Sequence, residues 1–157
     1  MDHAHGHGHE PDSLNRVAFG ATWHCLTGCA IGEVLGMVIA TALGWGDVAS
    51  IALAVALAFP FGYSFTLWPL LRARLPLQSA LATAFAADTI SISIMETVDN
   101  GFVVFVPGAL AAGLDDALFW WSLALGLALA FVAAFPANRW LIARGLGHAV
   151  VHAHQGH

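Results

Sequence analysis

Lysine is absent from this sequence, and cationic residues are limited to Arg16, Arg72, Arg74, Arg139 and Arg144. Charged residues make up only 10% of the 157, against about 25% in an ordinary soluble domain. The formal charge is −5, and nucleic-acid binding, which needs a basic face, is excluded. Cysteine occurs twice, at Cys25 and Cys29, too few for a disulfide framework. Four residues apart on a helix, their Cβ atoms lie about 5–6 Å from each other, beyond the roughly 3.8 Å of a disulfide. The opening MDHAHGHGHE carries no basic n-region, so it does not read as a cleaved secretory signal, and the first helix is expected to stay in the mature protein. Apolar residues, in contrast, reach 59% and the mean hydropathy is +0.75. That composition belongs to a membrane protein whose first partner is the lipid bilayer.

A spanning helix needs about 20 mostly apolar residues, and four stretches qualify. The first runs from about Leu14 to Leu43, with Ser13 as its N-cap. The second runs from about Val48 to Leu71, with a bend expected at Pro60 and Gly62. The third follows Pro76 and reaches about Val98, and the fourth begins at Asp115-Asp116 and continues past Pro136 toward Arg144. Between the last two, residues 99–113 are apolar but broken by Gly101, Pro107 and Gly108. This segment either extends the third helix or forms a short re-entrant or interfacial piece. The expectation is an all-α membrane protein with four transmembrane helices. All five arginines flank spans on one side, and the other two loops carry only acids. The positive-inside bias then puts both termini in the cytoplasm, in a bacterial or archaeal inner membrane. Three parts result: a histidine-rich tail at 1–13, a transmembrane domain at 14–147 and a second histidine-rich tail at 148–157. The tails carry His3, His5, His7 and His9, and His148, His152, His154 and His157. Lacking an uninterrupted histidine run, they read as metal-gathering tails rather than a purification remnant.

Within the first span stands WHCLTGCAIGE, which places His24, Cys25, Cys29 and Glu33 in an apolar helix. On helical geometry Cys25, Cys29, Glu33 and Met37 fall within about 120° of one another. Beside them run Gly28, Gly32 and Gly36, a GxxxGxxxG stripe that admits a close helix. It is read as the contact of a homo-oligomer, since four spans are few for a complete pathway. The third span supplies Asp88, Met95, Glu96 and Asp99, within roughly 100° of each other, with Ser91 nearby. Asp88 falls about 17 Å into the third span, near a bilayer's midplane. A central Asp costs about 2.5–3.5 kcal/mol to insert, and no arginine lies within the spans to offset it. Such acids are protonated, solvated or bound to a cation.

Each residue also has a plainer reading. Buried cysteines serve as small apolar side chains, buried carboxyls as hydrogen-bonded structural groups, Met37 and Met95 as core filler, and Trp23, Trp68, Trp120, Trp121 and Trp140 as an interfacial belt. Taken together, the set favours a metal track: His24, Cys25 and Cys29 at the inner end, Glu33 and Asp88 in the middle, Met95, Glu96 and Asp99 toward the outer end. Thiolate, imidazole and thioether select soft ions, so copper comes first, then zinc or iron.

With WHCLTGCAIGEVLGM, DTISISIMETVDN and FPANRW in view, the chain from about Asn15 to Gly147 resembles an uncharacterised family of bacterial and archaeal membrane proteins, domain-of-unknown-function family 4396. The family's hallmark is an Asp-Asn pair, matched by Asp99-Asn100. Some members are joined to copper-protein domains, which implies a connection to copper. The function expected is transport or hand-over of a transition-metal cation rather than catalysis. The alternatives are a quinone-linked thiol oxidoreductase, for which CxxxC within a helix is a poor substitute for CxxC, and a proton-relaying or structural subunit of a larger complex. A haem protein would need a second histidine in a span.

Overall fold

The structure, a computed structural model, describes residues 10–72, 74 and 76–145. The eight histidines assigned to the tails lie outside these residues. Four helices follow one another: α1 (Glu10–Ala42), α2 (Asp47–Arg72), α3 (Leu77–Phe105) and α4 (Ala117–Ala143). No strand occurs among the described residues. Three segments, Ser13–Ala42, Asp47–Pro69 and Ala117–Ala143, are long and apolar enough to cross a membrane, which is the make-up of a membrane protein. The third helix has the length, with 29 residues, but Asp88, Glu96 and Asp99 lower its hydropathy.

The boundaries follow from local chemistry. The first helix begins at Glu10 rather than after Ser13. Proline in a first turn lacks an N–H that would be unpaired there anyway, so Pro11 starts the helix without loss. The second helix is continuous through Pro60 and Pro69. Asp116 caps the fourth helix, its carboxylate accepting from the Leu118 N–H at 2.9 Å, so the acids expected at this N-terminus act just outside it. The reading of residues 99–113 as an extension of the third helix holds for the first part of the segment. The third helix continues to Phe105, and residues 106–116 then form successive turns that bury Ala109 and Ala112.

Sequential neighbours pack antiparallel, α1 also meets α4, and α1 and α3 approach across the short diagonal. One end of the bundle therefore gathers all five arginines. The other gathers Asp47, Asp115 and Asp116 with the turns at 106–116. At the arginine end Arg72 lies over Trp68 at 5.1 Å and Arg144 over Trp140 at 4.1 Å, cation–π pairs suited to an interface. The outside is apolar: Trp23, Val38, Ile90, Phe105, Leu129 and Val132 are all exposed.

The tightest seam joins α1 to α2. A Cβ on Gly28 would run into the backbone of Gly62, one on Gly32 into that of Ala58, and one on Gly36 would come within 2.6 Å of the Ala54 Cα. The expectation that these three glycines join a second copy is corrected here. Backbone of the chain's own second helix already fills the stripe, and no further helix fits between them. Gly62, expected to mark a bend, is the other half of this seam.

Candidate functional site

An apolar bundle normally hides apolar side chains, yet this one buries Thr22, Glu33, Ser50, Thr66, Asp88, Ser91, Glu96, Asp99, Ser122 and Asn138. Burying such groups costs free energy unless partners are found, so their arrangement is informative. Those of α1 and α3, which run in the same direction, lie in a file between the two helices, and Thr66 of α2 and Asn138 of α4 reach it from the sides. From Cys25 to Glu33 on α1 the partners on α3 advance in the same direction, from Asp88 through Glu96 to Asp99.

Nearest the arginine end, Asn138 of α4 donates to Thr22 Oγ1 at 2.9 Å and to Ser91 Oγ at 3.0 Å. Thr22 passes its own hydrogen to the Ala18 carbonyl at 2.7 Å. This knot ties α1, α3 and α4 together. At nearly the same level, on the arginine side of Ser91 along α3, the Cys25 thiol reaches Asp88 Oδ1 at 3.5 Å, with Thr66 of α2 beside the same carboxyl. Next, Cys29 lies alongside Glu96. Asn100 steadies Glu96 by donating to its Oε2 at 3.2 Å and to its backbone carbonyl at 2.9 Å. Last, Glu33 and Asp99 face one another. The Asp99 carboxylate occupies the recess that Gly126 of α4 leaves, since a Cβ there would collide with it.

Of the eight residues singled out as ligands, seven come together in three rungs: Cys25 with Asp88, Cys29 with Met95 and Glu96, Glu33 with Asp99. Met95 is 1% exposed and packs in one cluster with both cysteines, Ile92 and Ala58. His24 stands apart; it is half-buried and turned about 100° round α1 from Cys25. Both thiols are free. Among the described residues no three His, Cys, Asp or Glu side chains form a group that could hold a metal ion, so the donors are disposed as a ladder of pairs.

Electrostatically the file is unbalanced. Both oxygens of Glu33 and one each of Asp88, Glu96 and Asp99 have no hydrogen-bond donor. The file's four carboxyls belong to helices whose arginines all sit at one far end. An uncompensated buried charge costs several kcal/mol, so each of them is protonated, solvated or accompanied by another cation. The last rung opens into a cavity of about 70 Å³, to which all four helices contribute. Its walls include Glu33, Asp99, Asn100, Ser50 and Ser122, with Asp47 at the exposed rim and the turn residues Ala109 and Leu110 over it.

Asn138, Thr66, Gly126, Ser50 and Ser122 were not among the residues singled out from sequence. An asparagine inside the apolar FPANRW run carried a legible signal, because a polar amide in a span seeks a partner. Ser122 and Gly126 stand on the same four-residue stripe as Asn138, whereas Ser50 and Thr66 carried no comparable signal.

The architecture defines a class first: a four-helix bundle with an apolar coat and a polar axis. The chain belongs to the family of the domain of unknown function DUF4396, whose model matches residues 14–147. No curated protein and no solved structure matches it.

Proposed function

We propose that this protein is a four-span integral membrane protein that moves a transition-metal cation, copper first and then zinc or iron, along the file between α1 and α3. The third helix is then the fourth span, about 44 Å long on helical rise and long enough for a hydrocarbon core of about 30 Å. It tolerates three acids because they face the other helices rather than lipid. The positive-inside rule puts the arginine end, with both termini, in the cytoplasm of a bacterial or archaeal cell. In this reading the histidine tails serve the ion at the cytoplasmic face, and two or more copies assemble through a surface other than the glycine seam.

The observation that carries the reading is the ladder itself, in which a thiol–carboxyl pair, a second thiol–carboxyl pair and a carboxyl pair follow one another. Each rung offers a mobile ion two donors and negative charge without the closed shell of a structural site. Thiol and thioether donors favour copper, and mixed sulphur and oxygen pairs suit zinc and iron as well. Purified full-length protein should retain one of these metals on element-resolved analysis, and Cys29→Ser or Asp88→Asn should lower the amount. Equal metal in the wild type and both variants would remove the support.

Proton relay is the second reading, favoured by the lack of any three-donor group among the described residues and by the hydroxyls and amide that extend the carboxyl file. Proton flux into liposomes that needs Asp88 but no metal would select it. The thiol oxidoreductase reading gains nothing, since both cysteines are 1% exposed and out of reach of a partner at the surface.

A further inference from the structure

The cavity at the acidic end differs in chemistry from the rest of the file. The thiols and Met95 lie in the close-packed stretch, whereas the polar groups around the cavity are carboxyl, hydroxyl and amide, with the Met37 thioether as the lone sulphur. Glu33 is 5% exposed and Asp99 is 3% exposed. Both oxygens of Glu33 have no hydrogen-bond donor, and Asp99, whose own unpaired Oδ1 fills the Gly126 recess, lines the same space. Two buried carboxyls that share an opening and lack donors are poised for a cation. The size is informative as well. A water needs about 10–15 Å³ of such space, so about 70 Å³ takes one ion with about four waters. Two carboxylate oxygens and four waters complete the octahedral shell that small divalent ions prefer.

We infer that this cavity is a binding site for a partly hydrated divalent cation, with Glu33 and Asp99 as direct ligands and Asp47 drawing ions to the rim. Oxygen donors and retained water select hard or borderline divalent ions and disfavour Cu⁺. Resting on the transport reading, the site makes the cargo's entering form divalent: Zn²⁺, Fe²⁺ or Cu²⁺ docks here with part of its shell, then exchanges water for protein donors along the dry rungs. Asp99 owes its position to the recess at Gly126, so that glycine is a positioning residue for the site.

Mn²⁺ alone is a suitable probe, since its free-ion paramagnetic resonance signal vanishes on binding. Full-length protein in detergent is titrated with Mn²⁺, and Glu33→Gln, Asp99→Asn and Ser122→Met are compared with wild type. The third keeps both carboxylates and fills the cavity. Gly20→Ala, with nothing within 4 Å of the added methyl, controls for handling. The expected result is a site in the wild type and in Gly20→Ala that each of the other three weakens by at least about tenfold. Wild-type affinity in Ser122→Met together with either carboxyl variant overturns the site, and the pair remains informative if one variant fails to fold. Mn²⁺ binding with these dependences but no metal uptake would leave the site and remove the transport reading. Metal uptake with Mn²⁺ binding indifferent to all three variants would do the reverse.

Discussion

Asp99 can be buried where it is because position 126 carries no side chain. Its carboxylate fills the space that any Cβ on Gly126 would claim, with Phe102 within 3.4 Å of the same point. Gly126→Ala should therefore displace Asp99 from Glu33, costing about 1–3 kcal/mol by overpacking. Its distinguishing mark is a Mn²⁺ affinity lowered as in Asp99→Asn; loss of thermal stability with unchanged affinity would mean that the glycine serves packing alone. Asn138 makes a separate prediction. Hydrogen bonds between membrane helices contribute about 0.6 kcal/mol on average and up to about 1.7, so Asn138→Ala, which removes two, should cost about 1–3 kcal/mol in thermal or denaturant unfolding. No measurable loss would show that the knot is incidental. The contrast between these residues explains what could be read from sequence. The stripe of Cys25, Cys29 and Glu33 was visible because charged and sulphur-bearing side chains stand out in an apolar helix and share one face at a spacing of four. The Gly126 recess was less visible: Ser122, Gly126, Ala130, Ala134 and Asn138 recur every four residues and form the buried face of the fourth helix, but a stripe of small residues marks a contact without showing that Asp99 fills it.

At the scale of elements, two contacts organise the bundle in different ways. The first and second helices meet backbone to backbone along Gly28, Gly32 and Gly36, a van der Waals seam of the kind small residues permit in lipid. The first and third meet through polar side chains. Gly32→Ala should push the seam apart and lower thermal stability by about 1–3 kcal/mol or more. Gly20→Ala on the same helix should be neutral or gain up to about 1 kcal/mol from helix propensity. Equal effects at the two positions would contradict the seam. Sequence spacing identified the glycine stripe and its affinity for a helix but not which helix. Spacing fixes a face, whereas the partner depends on how the four helices are arranged. Matching AxxxAxxxG residues, Ala54, Ala58 and Gly62, stood in the neighbouring span, and a short loop favours packing of adjacent helices. The four helices themselves were legible to within a few residues at most boundaries, because long apolar runs and their Pro, Gly and Asp punctuation are strong local signals. The turns at 106–116 were less so, since their apolar composition matches that of the helices and their burial over the cavity depends on the assembled bundle.

At the scale of the whole molecule, the arginine end and the acidic end give the bundle a direction. With the arginine end cytoplasmic, a membrane-impermeant maleimide applied to intact cells should label Asp115→Cys and spare Arg74→Cys until the membrane is opened. The native thiols, 1% exposed, stay silent. The opposite pattern would invert the orientation and with it the side from which the cavity fills. An axis of paired donors between an apolar coat and an acidic mouth is the ground for the proposal that a cation traverses the bundle. The most direct measurement is element-resolved uptake of copper, zinc and iron by proteoliposomes containing the full chain, beside Cys29→Ser and Asp88→Asn. The account predicts accumulation of at least one of these metals by the wild type and its loss in both variants. Uptake no greater than in protein-free liposomes, or uptake that survives both substitutions, would contradict it.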